Sequence, residues 1–378
     1  MLSSYAQENS ISANARISIL TCGPGNQLYS SFGHSAFRIW DPVAKTDYVY
    51  NYGTFNFEAP NFYLNFTMGR PLFRLNKEIF PEFLYEYQYF KRWVNEQVLN
   101  LTHEQKLKLY HYLENNAKPE NRDYKYDYVK DNCATKIIDV LKEVYGDEIV
   151  FNKNHLEKKL SVRELMREYL DINSWGSFGI DIALGSKIDR EATAIEHTFI
   201  PDYVASQAKN STINGKALVA GSRQILKKST PVKSINFMGT PLFWFSILLM
   251  FIIFISIVNF KNKLWSRWLD VALFFITGVA GIILLLLWFT SDHVATAYNV
   301  NLLWAMPFNI VVFFYLVRKK ELPAWLNTYC IVALSCLGLA LIAWLFGIQS
   351  LHPAFGLIIL ILAIRYFLLW MKTSTKQI

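Results

Sequence analysis

The chain is 378 residues long, 52% hydrophobic, with a formal net charge of +8 and a mean hydropathy of +0.17. That length holds two domains of ordinary size, and the hydropathy is high for a protein that is soluble throughout. The positive charge collects in loops between apolar runs and in a Lys-rich linker, so it makes no case for a nucleic-acid partner.

Residues 1–7 lack the basic and apolar regions of a signal peptide, although Ser-Tyr-Ala resembles the small-residue end of one. Either the start is truncated or the first apolar span does the exporting. Residues 16–21 alternate and end at Cys22-Gly-Pro-Gly, a turn signal. Residues 30–40 predict a strand with His34 near its start. A turn containing Pro42 follows at 41–47, then a second strand at 48–52 closed by Gly53, making a β-hairpin. The stretch 85–99 predicts a further strand, on Trp93, Val94, Val98 and Leu99. Residues 102–115 predict a helix opened by a Thr102–Gln105 capping box. Asp131-Asn132-Cys133 opens a second helix, with Ile137, Ile138, Leu141, Val144 and Tyr145 on one face and Gly146 at its end. Residues 160–170 predict a third helix, 171–207 a structured loop region and 208–236 a linker.

Five apolar runs follow, at 241–259, 269–290, 302–317, 328–347 and 353–370. A membrane crossing takes about 20 mostly apolar residues. The third run is short, and Arg365 interrupts the fifth. Lys261, Lys263 and Arg267 follow the first run, Arg318, Lys319 and Lys320 the third, and Lys372 and Lys376 the fifth. Stretches 291–301 and 348–353 have no Lys or Arg. Basic loops stay in the cytoplasm. The expected arrangement is a multi-pass membrane protein, with domain 1–236 outside, domain 237–378 in the bilayer and the C-terminus inside.

Of the four cysteines, Cys330 and Cys336 lie in the fourth run and read as small apolar residues, while Cys22 and Cys133 fall in the external half. Their spacing fits no zinc pattern, and no metal or other cofactor is expected. A Cys22–Cys133 disulfide is one reading in an oxidising compartment. A reactive Cys133 is the other. A helix N-terminus carries partial positive charge and free N–H groups, which favour a thiolate. Those of Asn132–Ala134 can also hold an oxyanion. His34 is the candidate base. The hairpin brings Asn51, Tyr52 or Thr54 near it, and Asn51 can orient the imidazole through its amide oxygen. One conflict stands: if Phe37 and Ile39 face the core, alternation turns His34 to the other face.

The order His34, then Asn132-Cys133, resembles the permuted papain-like (NlpC/P60-like) folds, which place His on a strand and a later Cys at a helix start. The likeness extends to Thr21-Cys22-Gly-Pro-Gly, Phe32-Gly-His-Ser-Ala-Phe-Arg-Ile, Tyr50-Asn-Tyr-Gly-Thr-Phe and Asp131-Asn-Cys-Ala-Thr. With Gly179-Ile-Asp-Ile-Ala-Leu-Gly and Phe199-Ile-Pro-Asp-Tyr, these resemble the Lnb-type lipoprotein N-acyltransferases of Bacteroidetes. Asp292-His293 and the run from Asn301 to Asn309 are similar to that family's membrane domain.

The resemblance implies an α+β external domain followed by an all-α membrane domain of about five helices. It also implies an acyltransferase, with a phospholipid donor and the N-terminal Cys amine of a lipoprotein as acceptor, working through a Cys133 thioester. Cys22 and Tyr52 are candidates to line the site, Cys22 also as a second acyl carrier or as the partner of Cys133. Asp292, His293 and Asn301 form a candidate site at the membrane face. Two rivals remain: a cell-wall cysteine peptidase or amidase, and a non-catalytic binding module held by the disulfide.

Overall fold

The computed structural model describes residues 10–153, 156, 158–227, 236–318 and 321–374. The leader-like start, linker residues 228–235, Lys319, Lys320 and Lys376 lie outside them. The chain divides into two units: Met1–Tyr169 with Glu191–Val232, and Leu170–Arg190 with Lys233–Ile378.

The first unit is α+β. In chain order it runs β1 (Arg16–Cys22), β2 (His34–Asp41), β3 (Thr46–Thr54), α1 (Phe62–Thr67), β4 (Leu72–Ile79), α2 (Phe80–Tyr89), β5 (Val94–Leu99), α3 (His103–Asn116), β6 (Asp123–Lys125), α4 (Thr135–Tyr145), β7 (Ile149–Val150) and α5 (Val162–Arg167). After α6 (Trp175–Ala183), which belongs to the second unit, come α7 (Ala194–His197), α8 (Pro201–Lys209), β8 (Thr212–Ile213), β9 (Lys216–Ala217) and β10 (Val219–Leu226). Seven strands make an antiparallel sheet in the order β10-β5-β1-β2-β3-β4-β6.

Both faces of this sheet are covered. Ile17, Ile19, Phe37, Tyr50, Tyr52 and Leu75 form a core with Leu109 and Leu113 of α3 and Ile137, Ile138 and Leu141 of α4. On the opposite face Leu20, Cys22, Ala36 and Val49 pack with Phe80, Phe83 and Tyr87 of α2. The capping box holds the start of α3, as Thr102 and Gln105 predict.

Several stretches differ from the sequence expectation, and residues 171–207, expected as a structured loop region, hold α6, α7 and most of α8. Residues 80–89 are helical, because Pro81 stands in the first turn and three rings line one buried face. Only Val94–Leu99 of the expected strand is extended. The expected linker contains β10, whose exposed polar residues pair with β5 at the sheet edge.

The second unit is helical. Besides α6 it holds α9 (Pro241–Lys261), α10 (Arg267–Phe289), α11 (Asn309–Val317), α12 (Trp325–Leu345) and α13 (Phe355–Ser374). Among the described residues four helices, α9, α10, α12 and α13, are long and apolar enough to cross a membrane. The third expected span is not one helix. Residues 300–303 form a 3-10 turn, Pro307 interrupts the run, and α11 has only nine residues, spanning about 14 Å.

This segment nevertheless runs antiparallel to α10. A Cβ on Gly281 would lie 2.1 Å from Ala305 O, Asn309 donates to Thr277 at 2.8 Å, and Tyr315 O accepts from Arg267 at 3.3 Å. The expected third span is therefore half irregular backbone and half a short helix, and the irregular part packs against α10. Asn309, fully buried, also accepts from Tyr329 (2.6 Å) and Tyr366 (2.8 Å), which ties α10, α11, α12 and α13 together. Arg365 is buried in α13 and forms a two-pronged ion pair with Asp270, at 2.7 and 3.0 Å.

Candidate active site

The ladder between β2 and β3 ends at Phe37↔Tyr50. The β1–β2 ladder continues to Cys22↔His34, and the β3–β4 ladder to Thr54↔Arg74. Two central strands thus part at one end, and the start of α4 sits over the gap. The Ser35 N–H, beyond the end of the β2–β3 ladder, acts on the Cys133 sulfur and lowers the pKa of its thiol. On the other side Gly53 has φ +92°, and a Cβ there would lie 3.1 Å from the Cys133 Cβ. Only glycine combines that backbone with that approach.

The gap resolves the conflict of faces. His34 shares the α2 face with its cross-strand neighbour Cys22, while α4 packs on the other face. Cys133 reaches His34 through the gap at the strand end, so alternation holds and the two side chains still meet.

Asn132 builds the turn that presents Cys133. Its Oδ1 accepts from the N–H groups of Ala134 (2.8 Å) and Thr135 (3.0 Å). Its Nδ2 donates to Tyr128 O and to Phe199 O, at 2.9 and 2.8 Å. The second of these bonds explains the Phe199-Ile-Pro motif, whose Pro201 also packs beside Gly33. The expected oxyanion role of Asn132 and Ala134 is corrected here. The Asn132 N–H is bound to Thr135 Oγ1 at 2.9 Å and the Ala134 N–H to Asn132, so both are occupied. The N–H groups directed at the sulfur are those of Ser35 and of Cys133 itself.

His34 Nε2 lies 2.5 Å from Asn51 Oδ1, which leaves Nδ1 for the sulfur. Asn51 in turn donates to Glu78 Oε1 at 2.8 Å. Burial raises the pKa of the Cys133 thiol, but the facing His34 charge, its hydrogen bond and the two N–H groups outweigh it, and the thiol titrates below its usual range. For His34 burial disfavours the charged form. The Cys133 charge and the hydrogen bonds to Cys133 and Asn51 outweigh that, and the imidazole titrates above its usual range. Both shifts favour a thiolate facing an imidazolium. Burial raises Glu78, with the bond from Asn51 and the His34 charge acting the other way.

Sequence reasoning missed Glu78. The alternation of Phe73 and Leu75 marks β4, and Glu78 stands opposite Val49 on the face that carries Asn51.

Cys22 and Cys133 are both free, so the disulfide reading is not the arrangement found. Cys22 is buried beside His34, hydrogen-bonded with Tyr87, and burial pushes its thiol up to about 12, so it stays neutral. Tyr52 does not line the gap. It is buried in the α3–α4 core, where its hydroxyl feels Tyr112 and Glu143.

In the helical unit Asp292 is exposed and His293 buried. Asn301 is buried and committed to structure: it donates to Asp181 O at 2.9 Å and accepts from Trp304 at 2.7 Å. With Asn299 and Gln349 it satisfies the carbonyls that end α6, which accounts for the Gly179-Ile-Asp-Ile-Ala-Leu-Gly motif.

A strand histidine facing a helix-start cysteine, in a chain that also carries membrane-crossing helices, defines a membrane-anchored protein with a thiol–imidazole site. Residues 2–168 match the family model of the Lnb N-terminal periplasmic domain, and residues 233–377 that of the Lnb transmembrane domain. The chain belongs to the Lnb family, with a periplasmic N-terminal domain and a transmembrane domain. No curated protein and no solved structure matches it.

Proposed function

We propose that this chain moves an acyl chain from a membrane phospholipid to the α-amino group of a lipoprotein's N-terminal cysteine, through a thioester on Cys133. The observation that carries the reading is the Cys133–His34–Asn51 arrangement in an Lnb-family chain. The Cys133 thiolate attacks an ester carbonyl, and the His34 imidazolium gives its proton to the departing lysophospholipid oxygen. As the sulfur loses its charge in the thioester, the N–H groups of Ser35 and Cys133 are released to the neighbouring oxyanion. A neutral amine then attacks the thioester, His34 takes the amine proton, and the thiolate–imidazolium pair returns.

A permuted papain-like domain suits this order of parts. The inner membrane is where such a donor and acceptor meet, and the Lys and Arg that follow the first, third and fifth apolar runs of the sequence support a cytoplasmic C-terminus. A cell-wall peptidase needs a tether only, and the crossings here exceed one. Mass spectrometry of lipoprotein N-termini tests the reading, in a strain relying on Cys133→Ser or His34→Ala. Loss of the N-acyl group is expected while the protein still accumulates in the membrane. Full N-acylation by Cys133→Ser would overturn it.

A further inference from the structure

The segment that follows Gly53 is dense in rings and poor in charge. Of residues 55–73, only Glu58 and Arg70 are charged, and six are Phe or Tyr. Helix α1 buries none of its residues. Tyr63 is 71% exposed, Leu64 61% and Leu72 70%. A monomer rarely leaves a contiguous apolar surface of this kind open unless something docks there.

The lobe is continuous with the thiol site. Phe57 packs edge-on to Phe55 at 4.7 Å, Phe55 stacks on Phe73 at 4.7 Å, and Phe73 stacks on Tyr126 at 4.0 Å. Tyr126 lies within the field of Cys133. From the other direction, Phe55 is two residues beyond Gly53, which abuts Cys133. The exposed rings are therefore linked, through Phe55 and the two residues back to Gly53, to the backbone that abuts Cys133.

We propose that this aromatic lobe enters the bilayer interface and takes up the acyl chain of the phospholipid whose ester carbonyl meets Cys133. The proposal rests on Cys133 as the acyl-accepting thiol. Phe and Tyr interleaved with Asn56, Asn61 and Asn65 is a composition suited to the headgroup–acyl boundary. The chain's own crossing helices tie it to a bilayer, and the near absence of charge offers little to a protein partner bound through ion pairs.

The test uses the full chain in nanodiscs of phosphatidylethanolamine and phosphatidylglycerol. Leu64→Cys in a Cys133→Ser background carries an environment-sensitive fluorophore, with Lys45→Cys on the β2–β3 turn as reference. Lipids spin-labelled near the headgroup should quench the label at 64 and leave that at 45 bright. No quenching at 64, or quenching only after a lipoprotein is added, would overturn the proposal. The second outcome would make the lobe an acceptor-docking surface.

A Tyr63→Ser, Leu64→Ser, Leu72→Ser variant that retains Cys133 should lose acylation of Cys133 by vesicle phospholipid. Its alkylation by iodoacetamide should be unchanged. Quenching at 64, together with no acylation of Cys133 in the otherwise unchanged chain that retains it, would overturn the transfer reading and leave the lipid contact standing. Acylation of Cys133 without quenching at 64 would overturn the lipid contact alone.

Discussion

Asn51 Oδ1 sits 2.5 Å from His34 Nε2 while the Asn51 amide nitrogen donates to Glu78, so one side chain couples the imidazole to a half-buried carboxylate. Asn51→Ala should leave the ring free to turn and cost about 10²-fold in transfer rate, the scale of a misplaced catalytic group. Single-turnover acylation of Cys133 checks this.

Glu78 acts through Asn51 and is a positioning residue. Its charge favours the imidazolium, so Glu78→Gln should lower the pKa of His34 and raise that of Cys133. The acid limb of the Cys133 alkylation profile should therefore move to higher pH. A slower rate with an unmoved profile would mean that Glu78 only packs.

The lowered Cys133 pKa and raised His34 pKa set the pH window of the thiolate. Alkylation should stay fast below the range where an ordinary thiol is already protonated, and fall only as pH drops through the lowered Cys133 value. In His34→Ala the midpoint should move upward, and transfer should fall by roughly 10²–10⁴-fold.

Gly53→Ala places a methyl group against Cys133 on a φ of +92°. The strain is about 1–3 kcal/mol. The variant should melt lower and react more slowly at Cys133, and thermal unfolding read beside alkylation shows both effects.

Arg365→Leu leaves Asp270 buried and unpaired, at a cost of about 3–5 kcal/mol, whereas replacing both by Leu should recover most of that loss. Thermal unfolding in detergent compares the single and double variants. Equal stability of the two would contradict a penalty from an uncompensated Asp270.

Much of this was legible in the residues. Asp131-Asn132-Cys133 before an apolar helical face marks the helix start, and counting across the hairpin reaches Asn51 from His34. The splay of β2 from β3 is a tertiary event without a local signal, and it decides both the meeting of His34 with Cys133 and the N–H groups that face the sulfur. Glu78 was hidden because the aromatic-rich stretch 55–84 shows no clean period in the sequence and predicts no element, although Pro81 marks the boundary between β4 and α2. Strand β10 reads as linker because an edge strand is polar. Residues 302–317 are apolar enough to read as a helix, but Pro307 and the close approach to Gly281 break it.

The central claim is that Cys133 carries the acyl group. Intact-protein and peptide mass spectrometry after incubation with phospholipid, before any acceptor is added, tests it most directly. The expected result is one acyl group on the Cys133 peptide, labile to hydroxylamine, discharged by an acceptor with a free N-terminal cysteine, and absent from Cys133→Ala. An acceptor N-acylated at the full rate by Cys133→Ala, or an acyl group found on Cys22 instead, would contradict it.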